Sequence, residues 1–146
     1  MRTDAVLVDT DVWSFFIKGD SRAALYEPHL RGKTIAISFV TVGELFYWAE
    51  KRAWGERRRA DLETRLKSAV IIPFDLQICQ EYARVSVARN NLANDRWIAA
   101  CAIRHRLPLV SHNRRHFEGI PGLVLLSETP SPRTSAERPL LLDSNE

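Results

Sequence analysis

The sequence predicts an α/β fold, a three-layer α/β/α sandwich built around a mainly parallel central sheet. Short apolar runs rich in β-branched residues alternate along the chain with helical patterns, which is the order of parallel βαβ units. The chain has 146 residues, the length of one domain that can bury its own core. With 45% hydrophobic and 27% charged residues and only 6 Gly and 7 Pro, the composition excludes collagen-like, disordered and low-complexity classes.

The first half of the sequence predicts two strands and four helices. The tripeptide 9–11, Asp-Thr-Asp, follows the first apolar run directly and suits a helix N-terminus. In the third helix, apolar residues recur at three- and four-residue steps, with Ser38 or Thr41 as the cap. The fourth helix is heavily charged and is expected to lie on the outside of the fold. We place the strands at 5–8 and 34–37, and the helices at 12–18, 22–30, 40–54 and 56–68.

The second half predicts three more strands and two more helices. Asp75 caps a helix that reaches about Arg89, and Asn94 or Asp95 caps the next helix. The small residues of that last helix predict close packing. We place the strands at 70–74, 109–111 and 123–126, with a turn at 112–117.

The end of the chain differs in composition from the rest. Residues 128–146 are rich in Pro, Ser and Thr, which predicts a flexible tail after a single domain at 1–127. Cys79 and Cys101 lie in helical apolar patterns without a second ligand at metal spacing, so both are expected to be free thiols. No apolar stretch approaches the roughly 18 residues of a membrane span, so we expect a cytoplasmic protein without membrane contact.

Basic residues outnumber acidic ones in the predicted domain. Residues 1–127 hold 19 Lys and Arg against 14 Asp and Glu. This balance suits a polyanionic partner without requiring one. No GxGxxG or GxxxxGK[ST] segment follows any predicted strand, so dinucleotide and P-loop chemistry lack sequence support.

Three carboxylates stand out by their position in this architecture. Asp9 ends the first strand, while Glu44 and Asp95 lie in the first turns of two helices. Strand C-termini and the following helix N-termini meet at one edge of a parallel sheet, where ligands bind. Each acid also has a purely structural interpretation, because Asp9 can cap a helix, Glu44 can complete a capping box with Thr41, and Asp95 can favour a helix dipole.

Four ordered motifs carry a resemblance to a known family. The motifs are Val8-Asp9-Thr10, Ser38-x-Val-Thr-x-Gly-Glu44-Leu45, Asn94-Asp95-x-Trp-Ile-Ala-Ala100, and Leu109-Val-Ser-His-Asn-Arg-Arg-His-Phe117 followed by Ile120-Pro-Gly-Leu123. In this order they look like the motifs of PIN-domain ribonucleases, most closely the VapC toxin group, and the resemblance covers roughly residues 5–127.

The resemblance implies a Mg²⁺- or Mn²⁺-dependent endoribonuclease, the toxin of a type II toxin–antitoxin pair. Its family acids match Asp9, Glu44 and Asp95, which would bind the metal, and the fourth catalytic position carries Asn113, where many PIN domains have Asp. The amide brings no charge, which puts the second metal in doubt. The expected substrate is a structured RNA cut at an unpaired loop, either tRNA or rRNA, and the expected assembly is a homodimer with a cognate antitoxin.

Physical chemistry supports a metal at this edge. Crowded carboxylates repel one another unless a cation neutralises them, and an all-oxygen ligand set favours Mg²⁺ or Mn²⁺ over Zn²⁺. Two alternatives stay open: a catalytically inactive PIN-like module that binds RNA or protein, and metal-free cleavage by His112 and His116. A receiver-like phosphoacceptor domain would need a Lys after the last core strand, which this sequence lacks.

Further residues are candidates for contacts with partners. Four arginines fall in segments expected near the acidic edge, and unpaired RNA bases stack on aromatic or Arg planes. The early helices also hold more aromatic residues than one core stripe needs, which predicts a groove for an apolar antitoxin segment. The RNA candidates are Arg89, Arg96, Arg114 and Arg115, and the antitoxin candidates are Trp13, Phe16 and Trp48.

Overall fold

A computed structural model describes residues 4–90 and 92–129 of the chain. Within these residues, five strands form one sheet in the order third, second, first, fourth, fifth, and every neighbouring pair is parallel. The chain therefore starts at the centre of the sheet and extends to each side in turn, which confirms the predicted fold class. The strands are β1 (Ala5–Val8), β2 (Thr34–Ser38), β3 (Val70–Ile72), β4 (Leu109–Val110) and β5 (Leu125–Leu126).

Helices make the crossovers that parallel pairing requires. The described residues contain seven, of which the last is a single turn. They are α1 (Thr10–Lys18), α2 (Ala23–Leu30), α3 (Phe39–Lys51), α4 (Glu56–Lys67), α5 (Leu76–Ala88), α6 (Ala93–His105) and α7 (Arg114–Phe117).

The core has two halves, one on each face of the sheet. Side chains alternate along a strand, so Val6 and Val8 of β1 join one apolar cluster while Leu7 joins the other. The first cluster includes residues of α1, α2, α3 and α4, and the second is built mainly on α5 and α6. Small buried residues of α6, such as Ala99 and Ala102, allow the close packing that the sequence predicted.

Several element boundaries differ from the sequence prediction. Helix α6 begins at Ala93 with Leu92 as its N-cap, so Asn94 and Asp95 lie inside the first turn instead of capping it. Ser38 caps α3 by accepting a hydrogen bond from Val40 N, which leaves Thr41 free for another contact. These changes shift side chains by a residue or two without moving any element within the fold.

Other predictions concern the thiols, the membrane and the tail. Cys79 and Cys101 are both free, and Cys101 is buried. No helix among residues 4–90 and 92–129 has the length and apolar character to cross a membrane. The predicted tail lies outside the described residues from 130 onward. Its first residue, Glu128, donates its backbone N–H to the Tyr26 hydroxyl and contacts His29 at 2.6 Å.

Candidate active site

The predicted acids lie at the carboxyl edge of the sheet, where the central strands β1 and β4 end. Pairing of Val8 with Val110 places the next residues, Asp9 and Ser111, side by side. The backbone N–H of Asp9 donates to the carbonyl of Val110 at 2.9 Å, which extends the ladder up to the site. The position agrees with the rule that parallel sheets bind ligands beyond their strand C-termini.

Asp9 is the most deeply buried acid of the site, with 4% of its surface exposed. One carboxylate oxygen accepts from Thr10 N at 2.8 Å, so Asp9 caps α1, and the other accepts from Ser111 Oγ at 2.7 Å. Burial raises the pKa of Asp9 well above its ordinary value, and the neighbouring charges of Asp11 and Asp95 raise it further, against the two hydrogen bonds. Capping and a role in the site are therefore compatible.

Glu44 is held by side chains from two other helices. The Thr10 hydroxyl lies 2.5 Å from Glu44 Oε1, and Asn94 Nδ2 donates to Glu44 Oε2 at 2.8 Å. Thr10 Oγ1 also lies 2.9 Å from the buried Thr41 hydroxyl. The capping-box interpretation of Glu44 is not what the structure shows, because its carboxylate faces α1 and α6 instead of the start of α3.

Asp95 lies near Glu44 and contacts the loop after β4. Its Oδ2 is 2.7 Å from His116 Nδ1. Burial raises the pKa of Asp95 and the charge of Glu44 adds to this, whereas His116 acts in the opposite direction. His116 was named above only in the metal-free alternative, and the structure places its ring directly against a site carboxylate.

Asp11 is an acid that the sequence analysis treated only as part of a helix start. Its Oδ1 accepts from Val12 N at 2.7 Å, and its Oδ2 accepts from His112 N at 3.1 Å. Burial raises its pKa, and it is close enough to Asp9 for each to affect the other. Asp11 therefore joins the start of α1 to the loop after β4 and adds negative charge beside Asp9.

Asn113 occupies the position where many PIN domains carry a fourth acid. Its backbone N–H donates to Ser111 Oγ at 3.0 Å, and it starts the single-turn helix α7. Its side-chain amide makes no hydrogen bond within the described part of the chain. The amide oxygen is therefore available to a ligand, although the structure does not direct it to one.

The donor chemistry of the site suits a divalent cation. Asp9, Glu44 and Asp95 offer carboxylate oxygens only, which are ligands for Mg²⁺ and Mn²⁺. Burial is the main cause of the raised pKa of Asp9 and Asp95, and neighbouring carboxylates add a repulsion that a cation would relieve. Among residues 4–90 and 92–129, however, no three His, Cys, Asp or Glu side chains are arranged as a closed set of metal ligands. The residues therefore fit such an ion in the chemistry of their donor atoms.

The four arginines predicted to bind RNA differ in their surroundings. Arg89 donates to the backbone carbonyls of Arg115, His116 and Glu118 and so supports the α7 loop. Arg114 donates to the carbonyls of Ser127 and Thr129. These two guanidinium groups are therefore used inside the molecule.

Arg96 and Arg115 complete this set. The Arg96 guanidinium donates to Ser86 Oγ at 2.9 Å and lies 5.2 Å from the Tyr82 ring centroid. Arg115 is exposed, and its side chain has no partner among the described residues. Of the four, Arg115 has the guanidinium most available to an RNA phosphate, and the RNA-binding role of all four stays a prediction.

The three aromatic residues predicted to bind an antitoxin also differ. Trp13 is only 7% exposed and packs in the core, so core packing explains it and little of its ring is left for a partner. Phe16 and Trp48 are half-buried at the edge of the same cluster. These two stay candidates for contact with a partner.

A parallel sheet of this strand order, with Asp9, Glu44 and Asp95 at its carboxyl edge, defines the class of protein as a PIN domain. The model of the PIN domain family matches residues 6–123. The chain therefore belongs to the PIN domain family, as its sequence motifs predicted.

Known proteins and solved structures resemble this chain over most of its length. It is 31% identical over 122 residues to the tRNA(fMet)-specific endonuclease VapC of Salmonella typhimurium, covering 80% of this chain and 92% of the relative. It is 29% identical to the ribonuclease VapC2 of Haemophilus influenzae with the same coverage. The crystal structure of VapBC2 from Rickettsia felis, bound to a promoter DNA fragment, matches with a TM-score of 0.75 and 26% identity, covering 86% of this chain and 99% of that one.

Proposed function

We propose that this chain is a Mg²⁺- or Mn²⁺-dependent endoribonuclease, the toxin of a toxin–antitoxin pair, which arrests growth by cutting structured RNA at an unpaired loop. The observation that carries the proposal is the convergence of Asp9, Glu44 and Asp95 at the carboxyl edge of the sheet, where side chains of other elements hold each carboxylate. The curated relatives are named as VapC ribonucleases, which supports RNA as the substrate.

Each side chain of the site has a definable part in this reaction. Asp9 and Asp95 would hold the cation, with Glu44 beside them. A bound ion would act as a Lewis acid that orients the scissile phosphate and lowers the pKa of an attacking water. Ser111 and Thr10 N orient the Asp9 carboxylate by hydrogen bonds, and Asn94 orients Glu44.

The substrate and the partner are further parts of the proposal. A relative named for tRNA(fMet) supports tRNA as a substrate class, with rRNA as the other candidate. Solved structures of VapBC complexes support a cognate antitoxin. Phe16 and Trp48 are candidates for its apolar contacts, and a homodimer is the expected assembly of the toxin.

The test compares two site variants with a surface variant. Asp9→Ala and Asp95→Ala are expected to lose cleavage of total tRNA in Mn²⁺ while remaining folded. Asp9→Ala loses a helix cap, which costs about 1 kcal/mol, and Asp95→Ala loses the side-chain contact to His116. Asp61→Ala is the matched control, because Asp61 pairs with Arg65 on the outside of α4. Cleavage products are mapped by sequencing their 5′ ends, and folding is checked by thermal unfolding. Full activity in folded Asp95→Ala protein would contradict the proposal.

Two observations favour a second function. The uncharged Asn113 and the open arrangement of the carboxylates would also suit a PIN-like module that binds RNA or protein without cutting it. RNA binding that persists in chelator, together with no cleavage at any Mg²⁺ or Mn²⁺ concentration, would favour this alternative.

A further inference from the structure

A groove along α3 begins at the candidate active site. Residues 40, 43, 44, 47 and 48 lie on successive turns of one helix face, and Asn94 and Trp97 of α6 form the opposite wall. The groove has a volume of about 580 Å³. Glu44, which Asn94 hydrogen-bonds, is one of the site acids and also lines the groove, so the groove opens onto the site. From Glu44 to Lys51, seven residue steps along α3 span roughly 10 Å at about 1.5 Å per residue.

Aromatic rings line this groove, and each keeps part of its surface outside the core. Tyr47 is 57% exposed. Trp97 is half-buried, packs against the second apolar cluster and stacks on Tyr82 with ring centroids 3.8 Å apart, which fixes its orientation. Trp48 lines the groove and packs against the first apolar cluster. Every nucleic acid base has a π-face, so exposed rings of this kind accept unpaired bases with little dependence on sequence.

Positive charges surround the far end of the groove. Lys51 Nζ lies 5.9 Å from the Tyr47 ring centroid, and the Arg52 guanidinium lies 5.3 Å from that of Trp48. Lys18 Nζ lies 5.9 Å from the same Trp48 ring. In the part of the chain that the structure describes, none of these three cations pairs with an acid. Aromatic rings interleaved with unpaired cations match the chemistry of a single-stranded polyanion.

Gly43 keeps the middle of the groove open. It lies inside α3, where Gly is less favourable to the helix than Ala. A Cβ built on Gly43 would meet no atom within 4 Å, so the fold does not require Gly there for space. Any side chain at this position would instead enter the groove between Glu44 and Tyr47.

We infer that this groove binds the unpaired stretch of the RNA substrate beside the scissile phosphate, an inference that rests on the proposed ribonuclease function. Bases stack on Tyr47 and Trp97, and backbone phosphates contact Lys51 and Arg52. A length of roughly 10 Å accommodates about three bases at a stacking distance of 3.4 Å. Continuity with Glu44 and the unpaired cations favour RNA over an apolar protein segment.

The test measures binding separately from cleavage. The probe is a fluorescein-labelled, unstructured ten-nucleotide RNA, and its affinity is measured by fluorescence anisotropy in EDTA over a range of salt concentrations. Tyr47→Ala is expected to weaken binding roughly 5- to 150-fold, the range for losing one base–aromatic stack. Gly43→Gln is expected to weaken binding while the melting temperature stays the same or rises. Replacing Lys51 and Arg52 by Ala should lower the slope of log affinity against log salt by about 0.7 for each phosphate that these cations neutralise in the parent complex.

Matched controls come from the same surface. Phe46→Ala removes a ring that neighbours Tyr47 in α3, is 42% exposed and lies outside the groove, and Arg57→Ala removes a solvent-exposed charge of α4. Both should keep the affinity of the parent protein. Unchanged affinity in both Tyr47→Ala and Gly43→Gln would overturn the inference.

The outcomes also separate this inference from the proposed function. Parent protein that binds the probe through Tyr47 and Lys51 but never cuts RNA would refute the nuclease proposal alone. Parent protein that cuts RNA, while the groove variants bind and cut equally well, would refute the groove alone. If the same variants changed the sedimentation coefficient and left RNA affinity unaltered, the groove would be an interface between copies of the chain.

Discussion

Replacing Ser111 by Ala tests how the sheet fixes the central carboxylate. Ser111 is fully buried, donates to Asp9 Oδ2 at 2.7 Å, and accepts from Asn113 N at 3.0 Å. The variant removes both bonds at once. It leaves a buried carboxylate oxygen without its donor and removes one of the hydrogen bonds that hold the loop after β4.

The size of the effect follows from these two bonds. A hydrogen bond to a charged group contributes about 1.5–3 kcal/mol and a neutral one about 1 kcal/mol, so the variant should lose roughly 2.5–4 kcal/mol. For a domain of this size about 1 kcal/mol corresponds to roughly 3 °C, which predicts a melting temperature lower by about 8–12 °C. The Ser111 bond also lowers the pKa of Asp9, so its loss should raise that pKa further. Cleavage should then require a higher pH and more divalent ion.

Ser38→Ala is the matched control. Ser38 is also fully buried and also ends a strand, but its hydroxyl caps α3 by accepting from Val40 N and does not contact the acids. Its loss should cost about 1 kcal/mol, with an unchanged pH profile. Both variants are measured by calorimetry in EDTA and by Mn²⁺ titration of RNA cleavage. Equal losses of stability, together with identical Mn²⁺ and pH dependence, would refute the role assigned to Ser111.

Other predictions address the charges of the site and its surroundings. In urea unfolding, the free energy of unfolding of Arg89→Ala should be lower by about 2 kcal/mol, because the variant leaves three backbone carbonyls without their donor. Arg115→Ala should keep the stability of the parent protein and lower the slope of log RNA affinity against log salt by about 0.7. Asn113→Asp should lower both the Mn²⁺ concentration needed for half-maximal cleavage and the melting temperature in EDTA. If both values equalled those of the parent protein, Asn113 would be a structural residue. Asp9 and Asp95 bind protons more tightly in the folded than in the unfolded chain, so melting temperatures in EDTA should fall as pH rises from about 3.8 through their raised pKa values. The fall in melting temperature should be smaller in Asp9→Asn than in the parent protein. An equal fall would contradict the raised pKa of Asp9.

The fold could be predicted because local and global signals agree. Apolar runs such as 5–8 are strands by length and composition, and the helices between them force parallel pairing. The predicted helix boundaries were less accurate where two neighbouring residues can both act as the N-cap. Asn94 and Asp95 are both good caps, but Leu92 occupies the cap position. The two polar side chains therefore lie in the first turn of α6, where they contact Glu44 and His116.

The site could be predicted only in part. Motif positions predicted that Asp9, Glu44 and Asp95 share one edge, and the structure places them there, while their catalytic and metal-binding roles stay a prediction. The contacts of Asp11 and His116 depend on where the loop after β4 lies, which no spacing along the chain specifies. The signal for Asp11 was present, since a second acid two residues after Asp9 lies at the same helix start.

The carboxylates belong to different elements, and each is held by yet another element. Ser111 of the β4 loop holds Asp9, Thr10 of α1 and Asn94 of α6 hold Glu44, and His116 of α7 contacts Asp95. A slip of one residue between β1 and β4 would direct Asp9 to the opposite face, because side chains alternate along a strand. The pairing of Val8 with Val110, fixed by the apolar residues on both faces of the sheet, therefore also sets the geometry of the acids. Substitutions in the core that disturb this register should impair the site before they unfold the domain.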